Sequence, residues 1–549
     1  MPGELTTVAR RLRRLRVDAA EPKPLGANFA VWGILGALIL GFVVLGVTGL
    51  DPNDSEALLG MASSEPLGPL GQAFGGWEPS LWPGQVLPAR LWTLGLGGIP
   101  NAATIRWPGA IAGILLGLGL ARRSSKTFGP LAGLAFGATW FGSLALIDRS
   151  DWLGVDLVLG LSVVAALDRI ITKGPGVVAG IWAGVAFLTG GWPPLAIILL
   201  PMIVLPSRHL GTISKRGRSS WRMVVPIALA VVGWSLWMFK VARVEVWAAS
   251  LALPLTKKPD WTLALSVFAL GLPWTPLAGL VAFRSIRGDW TDEARTFVFS
   301  WLKVIGVCLA SGTIVPGLSS AARLPAFAGL AIIAAAVCER LWQSSRLSKA
   351  AGRATIGIAL TLGLLAAAIF IPSTIFLASS IAYYRLPMIL LSIFAVATFL
   401  TVSVSAILGD RRVALGGIFA VALCLKLAHA GFVAPEWNYR FGQGPWGRAI
   451  GQWIPPRRPI YSTLRWPSTF AFASGHPFRV LENGWHLEHF KRGDGLPLHV
   501  LLLESEFDHW PSSAPKLYKV HAFHDEHGQV RILARTEGKV LTLSGPIDE

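Results

Sequence analysis

The chain has 549 residues, 53% of them hydrophobic and only 15% charged, with a net charge of +18. Soluble globular domains carry about 25% charged residues, and apolar runs of about 20 residues recur here from Asn28 to Val433, which excludes an ordinary soluble protein and predicts a polytopic membrane protein. Most of the basic excess lies in short loops between apolar runs, where it signals topology and attracts anionic headgroups; membrane lipids are expected partners and nucleic acid is not.

Residues 1–27 form a basic segment with Arg10, Arg11, Arg13, Arg14 and Arg16, expected on the cytoplasmic side. The apolar run that follows is too long for the core of a signal peptide, so it reads as a retained anchor. Apolar runs predict spans near 28–50, 105–121, 128–147, 153–171, 175–189, 192–206, 223–243, 261–283, 298–317, 325–342, 354–380, 386–408 and 413–433. The expected architecture is therefore mainly α: a helical bundle of about thirteen spans over 28–433. The pair between 175 and 206 is short, and its Gly190-Gly191-Trp192-Pro193-Pro194 junction also suits a kink within one span. With the N-terminus inside, about 25 basic residues fall in inner segments and about nine in outer loops, as the positive-inside rule requires. Cys308, Cys338 and Cys424 all lie within apolar runs and are expected to be small packing residues.

The tail, 434–549, changes character. It gains His, Asp and Glu, and 500–504, 518–523 and 530–534 read as strands, with a short helix expected from Pro467 to Ala473. An odd span count places this small α/β unit on the extracytoplasmic side of the inner (plasma) membrane. Its histidines (His476, His486, His489, His499, His509, His521, His524 and His527) match no compact ligand spacing. No metal is assigned to them, and a divalent cation stays open as a cofactor.

The outer side collects the candidate chemistry. The first outer loop, 51–104, opens with Asp51, Asp54 and Glu56 directly after an apolar run, and carboxylates at the mouth of a membrane bundle are costly and often functional. Near 147–156 lie Arg149, Asp151 and Asp156; Arg149 and Asp156 are seven apart, which a continuous helix would put on one face. Before the tenth span lies Arg323. Carboxylates and arginines on one side of a bilayer suit a reaction in which an acceptor loses a proton and a phosphate leaves, the acid taking the proton and the guanidinium holding the phosphate. The structural alternatives are equally concrete: Asp54 as a helix cap, Asp156 bridged to Arg149, and Arg323 snorkelling to the interface.

Several motifs carry a family resemblance over roughly 30–340. Pro52-Asn53-Asp54-Ser55 resembles the acidic pair after the first span of the multi-pass GT-C glycosyltransferases, with Asp54 at the first acid and Ser55 where the second stands, so that Glu56 or Asp51 would substitute. The stretch from Gly84 to Trp92 is similar to a family stretch that carries a lysine; here Gln85 replaces it and Arg90 would supply the charge. The run Asp156-Leu157-Val158-Leu159-Gly160-Leu161 looks like the segment of a further family acid, with Asp151 as runner-up. Leu188-Thr189-Gly190-Gly191, Leu272-Pro273-Trp274 and Arg323-Leu324-Pro325-Ala326-Phe327 resemble three later signatures. The nearest groups are the aminoarabinose transferases acting on lipid A and the bacterial relatives of protein O-mannosyltransferases. The resemblance implies a polyprenyl-phosphate-linked sugar donor, a site at the outer membrane surface, a lipid, glycan or protein acceptor, and an inverting single displacement. On this reading Asp54 is the general base, Asp156 orients acceptor or loop, and Arg323, with Arg90 and Arg149, holds the phosphate. Two other readings compete: a transporter or flippase of lipid-linked glycans, and a relative that binds a lipid sugar without turnover.

Overall fold

The computed structural model describes residues 72–73, 76–77, 83–95, 102–142, 155–205, 213–241, 259–288, 290–315, 317–343, 348–380, 384–408, 410–429, 432 and 436, and, in the tail, 444–455, 458–463, 468–476, 478–481, 497–524 and 529–536. A two-residue hairpin, β1 (Gln72–Ala73) with β2 (Gly76–Trp77), precedes the helices. The helices then run α1 (Pro83–Gly95), α2 (Ala102–Phe128), α3 (Pro130–Gly142), α4 (Val155–Lys173), α5 (Val177–Gly190), α6 (Trp192–Val204) and α7 (Ile213–Val241). They continue as α8 (Leu263–Leu270), α9 (Trp274–Gly279), α10 (Arg284–Arg287), α11 (Asp292–Ile314), α12 (Ser319–Gln343), α13 (Lys349–Ser380), α14 (Arg385–Leu408) and α15 (Arg411–Ala428).

Among the described residues, four helices are long and apolar enough to cross a membrane: α11, α12, most of α13 and most of α14. The chain is an integral membrane protein on this ground. The first predicted span, 28–50, lies outside the described residues. The run 175–206 forms two short helices on the two short runs expected there: α5 and α6 have 14 and 13 residues, about 20 Å each, against the ~30 Å of a hydrocarbon core. Gly191 turns the chain between them at φ 72°, a conformation that costs a β-carbon-free residue nothing. The run 261–283 is broken, because Leu263–Ala269 and Trp274–Ala282 meet at 102°. Pro273 has no N–H to continue the ladder and Gly271 weakens it on the other side of the break.

α12 is the axis of the bundle. It is buried along almost its whole length, mostly by Ala, Leu, Ile and Val, and it packs on α3, α4, α9 and α11. The peripheral α13 and α14 instead expose long apolar rows, including Leu364, Ile375, Leu390 and Ile393, as lipid-facing helices do. Polar clamps tie the axis to its neighbours. Glu339 of α12 accepts hydrogen bonds from the backbone N–H of Ala132, at the start of α3, and from the Gln343 amide. A carboxylate there satisfies one of the orphan donors of a helix N-terminus and suits its dipole. Arg123 of α2 pairs with both oxygens of Asp168 of α4 at 3.0 Å. At the far end of α3, buried Lys426 of α15 donates to the Phe141 carbonyl at 3.0 Å. α11 starts at Thr291, whose hydroxyl accepts from the Ala294 N–H; α15 starts at Asp410, which accepts from Arg412 and Val413.

The tail folds as expected, with additions. Strands β5 (His499–Leu503), β6 (Leu517–His524) and β7 (Val530–Thr536) match the three predicted stretches, and α17 (Ser468–Ser474) matches the predicted helix. Two three-residue strands, β3 (Ile460–Ser462) and β4 (Phe478–Val480), and the helices α16 (Gly444–Gly451) and α18 (Glu504–Asp508) complete it. The sheet order is β4-β3-β5-β7-β6, parallel among β4, β3 and β5 and antiparallel onward. Each face buries its own apolar cluster. Ile450, Phe470, Leu501 and Phe523 lie under α16 and α17; Tyr461, Val500, Leu502 and Ile532 lie on the other side.

Candidate functional site

The first turns of α4 and α12 are the meeting point. A β-carbon at Gly160 would stand 2.7 Å from Leu324 Cβ, so α4 and α12 touch backbone to side chain beside Arg323. One residue earlier on α4, Leu159 presses on Gly190, where a β-carbon would stand 2.0 Å from Leu159 Cδ1. The turn 188–191, the start of α4 and the start of α12 therefore converge on two adjacent residues. α1, which carries Arg90, packs on α2, α4 and α5 and so reaches the same group of helices. Three motifs far apart in sequence, Asp156–Leu161, Leu188–Gly191 and Arg323–Phe327, are thus joined.

Among the described residues, one carboxylate faces the Arg323 guanidinium. Its Nη2 lies 3.5 Å from Asp260 Oδ2, longer than the ~2.7–2.9 Å of a strong charge-assisted bond. Its buried Nε–H has no hydrogen-bond partner among the described residues. Asp260 sits in the turn that leads into α8. Its carboxylate accepts from the Thr262 hydroxyl at 2.7 Å and the Thr262 N–H at 3.2 Å, and its own N–H donates to Thr313 O of α11 at 3.1 Å. Burial opposes its charge, but the Thr262 hydroxyl, the Arg323 guanidinium and the Thr262 N–H outweigh burial and hold the carboxyl below its ordinary range. Asp260 is therefore an ionised, weakly basic counter-ion and is poorly suited to take a proton. A guanidinium with one loose ion pair and a buried donor that no described residue uses can accept an oxyanion such as phosphate.

The other predicted residues are placed as follows. Arg90 is half-buried on α1. Position 156 lies in the first turn of α4, one turn before Gly160, although the Asp156 side chain is outside the described residues. Asp51, Asp54 and Glu56 of the first loop, and Arg149 and Asp151 of the 143–154 connection, also lie outside them. Leu272-Pro273-Trp274 proves to be core: Trp274 is fully buried and meets Phe419 of α15 edge-on at 4.8 Å. Phe327 stacks on Trp140 of α3 at 6.0 Å, which fixes the third turn of α12.

Two residues escaped the sequence reading. Asp260 belongs to no recognised motif; its signal was the Asp-x-Thr pattern of a side chain that binds its own backbone two residues on. Arg106 is buried at 2% exposure in the first turns of α2, yet as a lone Arg ahead of an apolar run it registers only as loop charge. Three of the described tail histidines are engaged locally. His476 sits between the carbonyls of Arg458 and Gly451, His509 binds Ser505 O, and His521 stacks on Trp453. No group of three or more potential metal ligands occurs among the described residues.

No family profile and no curated protein sequence matches the chain. Solved structures do. ArnT from Cupriavidus metallidurans in the apo state superposes with a TM-score of 0.67 at 17% identity, covering 95% of this chain and 100% of that one. ArnT bound to undecaprenyl phosphate gives 0.65 at 17% identity with the same coverage. ArnT, the lipid A aminoarabinose transferase, is a GT-C glycosyltransferase. The chain has a GT-C-like fold. The archaeal oligosaccharyltransferase AglB from Archaeoglobus fulgidus also matches, at a TM-score of 0.40, 12% identity, and 95% and 76% coverage of this chain and that one. The GT-C-like fold runs over nearly the whole chain, tail included, and α12 with its Arg323 is its buried axis.

Proposed function

We propose that the chain is an integral membrane glycosyltransferase that moves a sugar from a polyprenyl-phosphate donor to a lipid, glycan or protein acceptor at the non-cytoplasmic face. The observation that carries this reading is the Arg323 guanidinium, loosely paired and with a buried donor that no described residue uses, at the point where α4, α12 and the 188–191 turn converge. The fold of ArnT, one form of which holds undecaprenyl phosphate, supports a lipid phosphate as the anion.

In the proposed reaction the acceptor oxygen or nitrogen attacks the anomeric carbon while the bond from that carbon to the phosphate oxygen breaks. The electron pair leaves with the polyprenyl phosphate, and configuration inverts. Asp54, with Glu56 or Asp51 beside it, takes the acceptor proton. Asp156, or Asp151, orients the acceptor. Arg323, with Arg90 and Arg149, binds the charge that accumulates on the leaving phosphate, which is the larger electrostatic demand of such a displacement. Asp260 holds Arg323 in place before the donor arrives.

The test is sugar transfer by the purified protein from a polyprenyl-phosphate sugar donor. Transfer that disappears in Asp54→Asn supports the assignment, and full activity in that variant removes Asp54 from the role. The bent α8–α9 pair favours one second reading, transport of a lipid-linked glycan, since broken helices are a transporter device. Movement of the lipid between leaflets of proteoliposomes with no transfer would select it.

A further inference from the structure

Among the described residues of the tail, from 444 on, the large hydrophobic side chains exposed by more than about a third are aromatic: Trp446, Trp453 and Tyr518. None is Leu, Ile, Val, Met or Phe. Both tryptophans lie flat. The Trp446 ring stacks on Phe523 of β6 at 5.7 Å and 24°, and the Trp453 ring stacks on His521 at 5.3 Å and 19°. Their inner faces are spent on the fold and their outer faces are open at 43% and 53% exposure.

The backbone puts these rings in a row. His521 and Phe523 are two apart on one strand, so they share a face about 7 Å apart. The β6 ladder shifts register between Lys519 and His521, which pairs Tyr518 with Arg535 and brings it to that same face. Basic groups border the row: exposed Arg448 on α16, exposed Arg535 on β7, and Lys516, whose Nζ lies 5.4 Å from the Tyr518 ring centre. From 444 on, the described carboxylates, Glu504, Glu506 and Asp508, all lie on α18, whose Phe507 packs into the cluster on the opposite face.

We propose that this aromatic row is a binding shelf for an acidic saccharide chain. The C–H faces of successive sugar rings lie on the electron-rich faces of Trp446 and Trp453. Carboxylate or phosphate groups of the chain meet Arg448, Arg535 and Lys516. A bilayer surface is the rival occupant. It would want aliphatic side chains that enter the acyl boundary, and rings that project, whereas these rings are pinned flat and no large aliphatic side chain is exposed beside them among the described residues. The proposal concerns binding by the tail and holds whether or not the bundle transfers sugar.

Calorimetry on the full chain in neutral-lipid nanodiscs tests it, with a hexasaccharide of galacturonic acid and a neutral glucan hexasaccharide as probes. The acidic probe is expected to bind at least tenfold more tightly than the neutral one. Trp446→Ala with Trp453→Ala should weaken it at least tenfold, and Trp446→Tyr with Trp453→Tyr should retain most of it. A thermal unfolding profile unchanged in the tyrosine pair guards against loss of fold. No binding of the acidic probe, equal binding of both probes, or undiminished binding by the alanine pair overturns the proposal. Capture of the nanodiscs by anionic phospholipid vesicles, lost in the alanine pair, would assign the shelf to a bilayer and overturn it as well.

Discussion

The contact between α4 and α12 can be tested by adding one carbon. Gly160→Ala would put a β-carbon 2.7 Å from both Cβ and Cδ2 of Leu324, where ordinary contact begins at 3.4 Å. Leu324 Cδ2 can swing away, but its Cβ is fixed to the backbone of α12. The two helices must therefore part by about 0.7 Å, the difference between those distances. Overpacking of a tight core costs about 1–3 kcal/mol, and alanine returns up to about 1 kcal/mol of helix propensity over glycine. The net loss is about 1 kcal/mol, up to about 2. The same substitution at Gly357 of α13, where nothing lies within 4 Å, has no such penalty and serves as the reference. The functional effect should exceed the stability effect. A misplacement of about 1 Å costs as much as about 100-fold in rate, so transfer by Gly160→Ala should fall roughly 10- to 100-fold. Thermal unfolding in detergent and single-turnover transfer measure the two effects. Unchanged unfolding and unchanged transfer in Gly160→Ala, matching Gly357→Ala, would refute a close helix crossing beside Arg323.

Arg323→Met should weaken binding of polyprenyl phosphate about 10- to 100-fold, because a charge-assisted bond of about 1.5–3 kcal/mol is lost; equilibrium binding of the lipid checks this, and wild-type affinity in the variant would remove the residue from the site. Glu339→Ala leaves the Ala132 N–H buried without an acceptor and should destabilise the bundle by about 1–3 kcal/mol, while Glu339→Gln keeps an acceptor oxygen and should lose less; unfolding in detergent separates them. His499 of β5 is buried, and burial first, then the neighbouring His476, Arg535 and Arg458, pull its pKa from 6.5 down to about 4. Protonation favours the unfolded tail, so this contribution is complete above pH 6.5 and is lost as pH falls to about 4, at most about 3 kcal/mol. His499→Leu should flatten the acid side of the pH–stability curve of the tail, followed by hydrogen exchange of β5 and β7; an unaltered curve would contradict it.

The apolar runs of α13 and α14 were legible within five residues and one residue, 354–380 against Lys349–Ser380 and 386–408 against Arg385–Leu408, since hydrophobic length alone specifies such helices. The longer strands of the tail were legible for a similar reason: β5 is a short continuous apolar run, and β6 and β7 mix apolar with polar residues over seven or more positions. The three-residue strands β3 and β4 carry too few residues to alternate, and α1 hid within a loop rich in Gly and Pro. The break between α8 and α9 was written in Gly271 and Pro273, yet the unbroken hydropathy of 261–283 outweighs two residues in any window of span length. Arg323 was visible as a cation ahead of an apolar run. Its partner Asp260, 63 positions away, was not, because ion pairs across a fold leave no local pattern. The meeting of motifs at Leu159 and Gly160 likewise depends on which helices touch.

The central claim is that acids from the first loop and from α4 meet Arg323 around one lipid phosphate. A structure of the protein with polyprenyl phosphate bound tests it most directly. The account predicts phosphate oxygens within hydrogen-bond distance of the Arg323 guanidinium, with Asp54 and Asp156 facing the same hollow. A phosphate seated elsewhere, or Asp54 and Asp156 on separate surfaces, would contradict it.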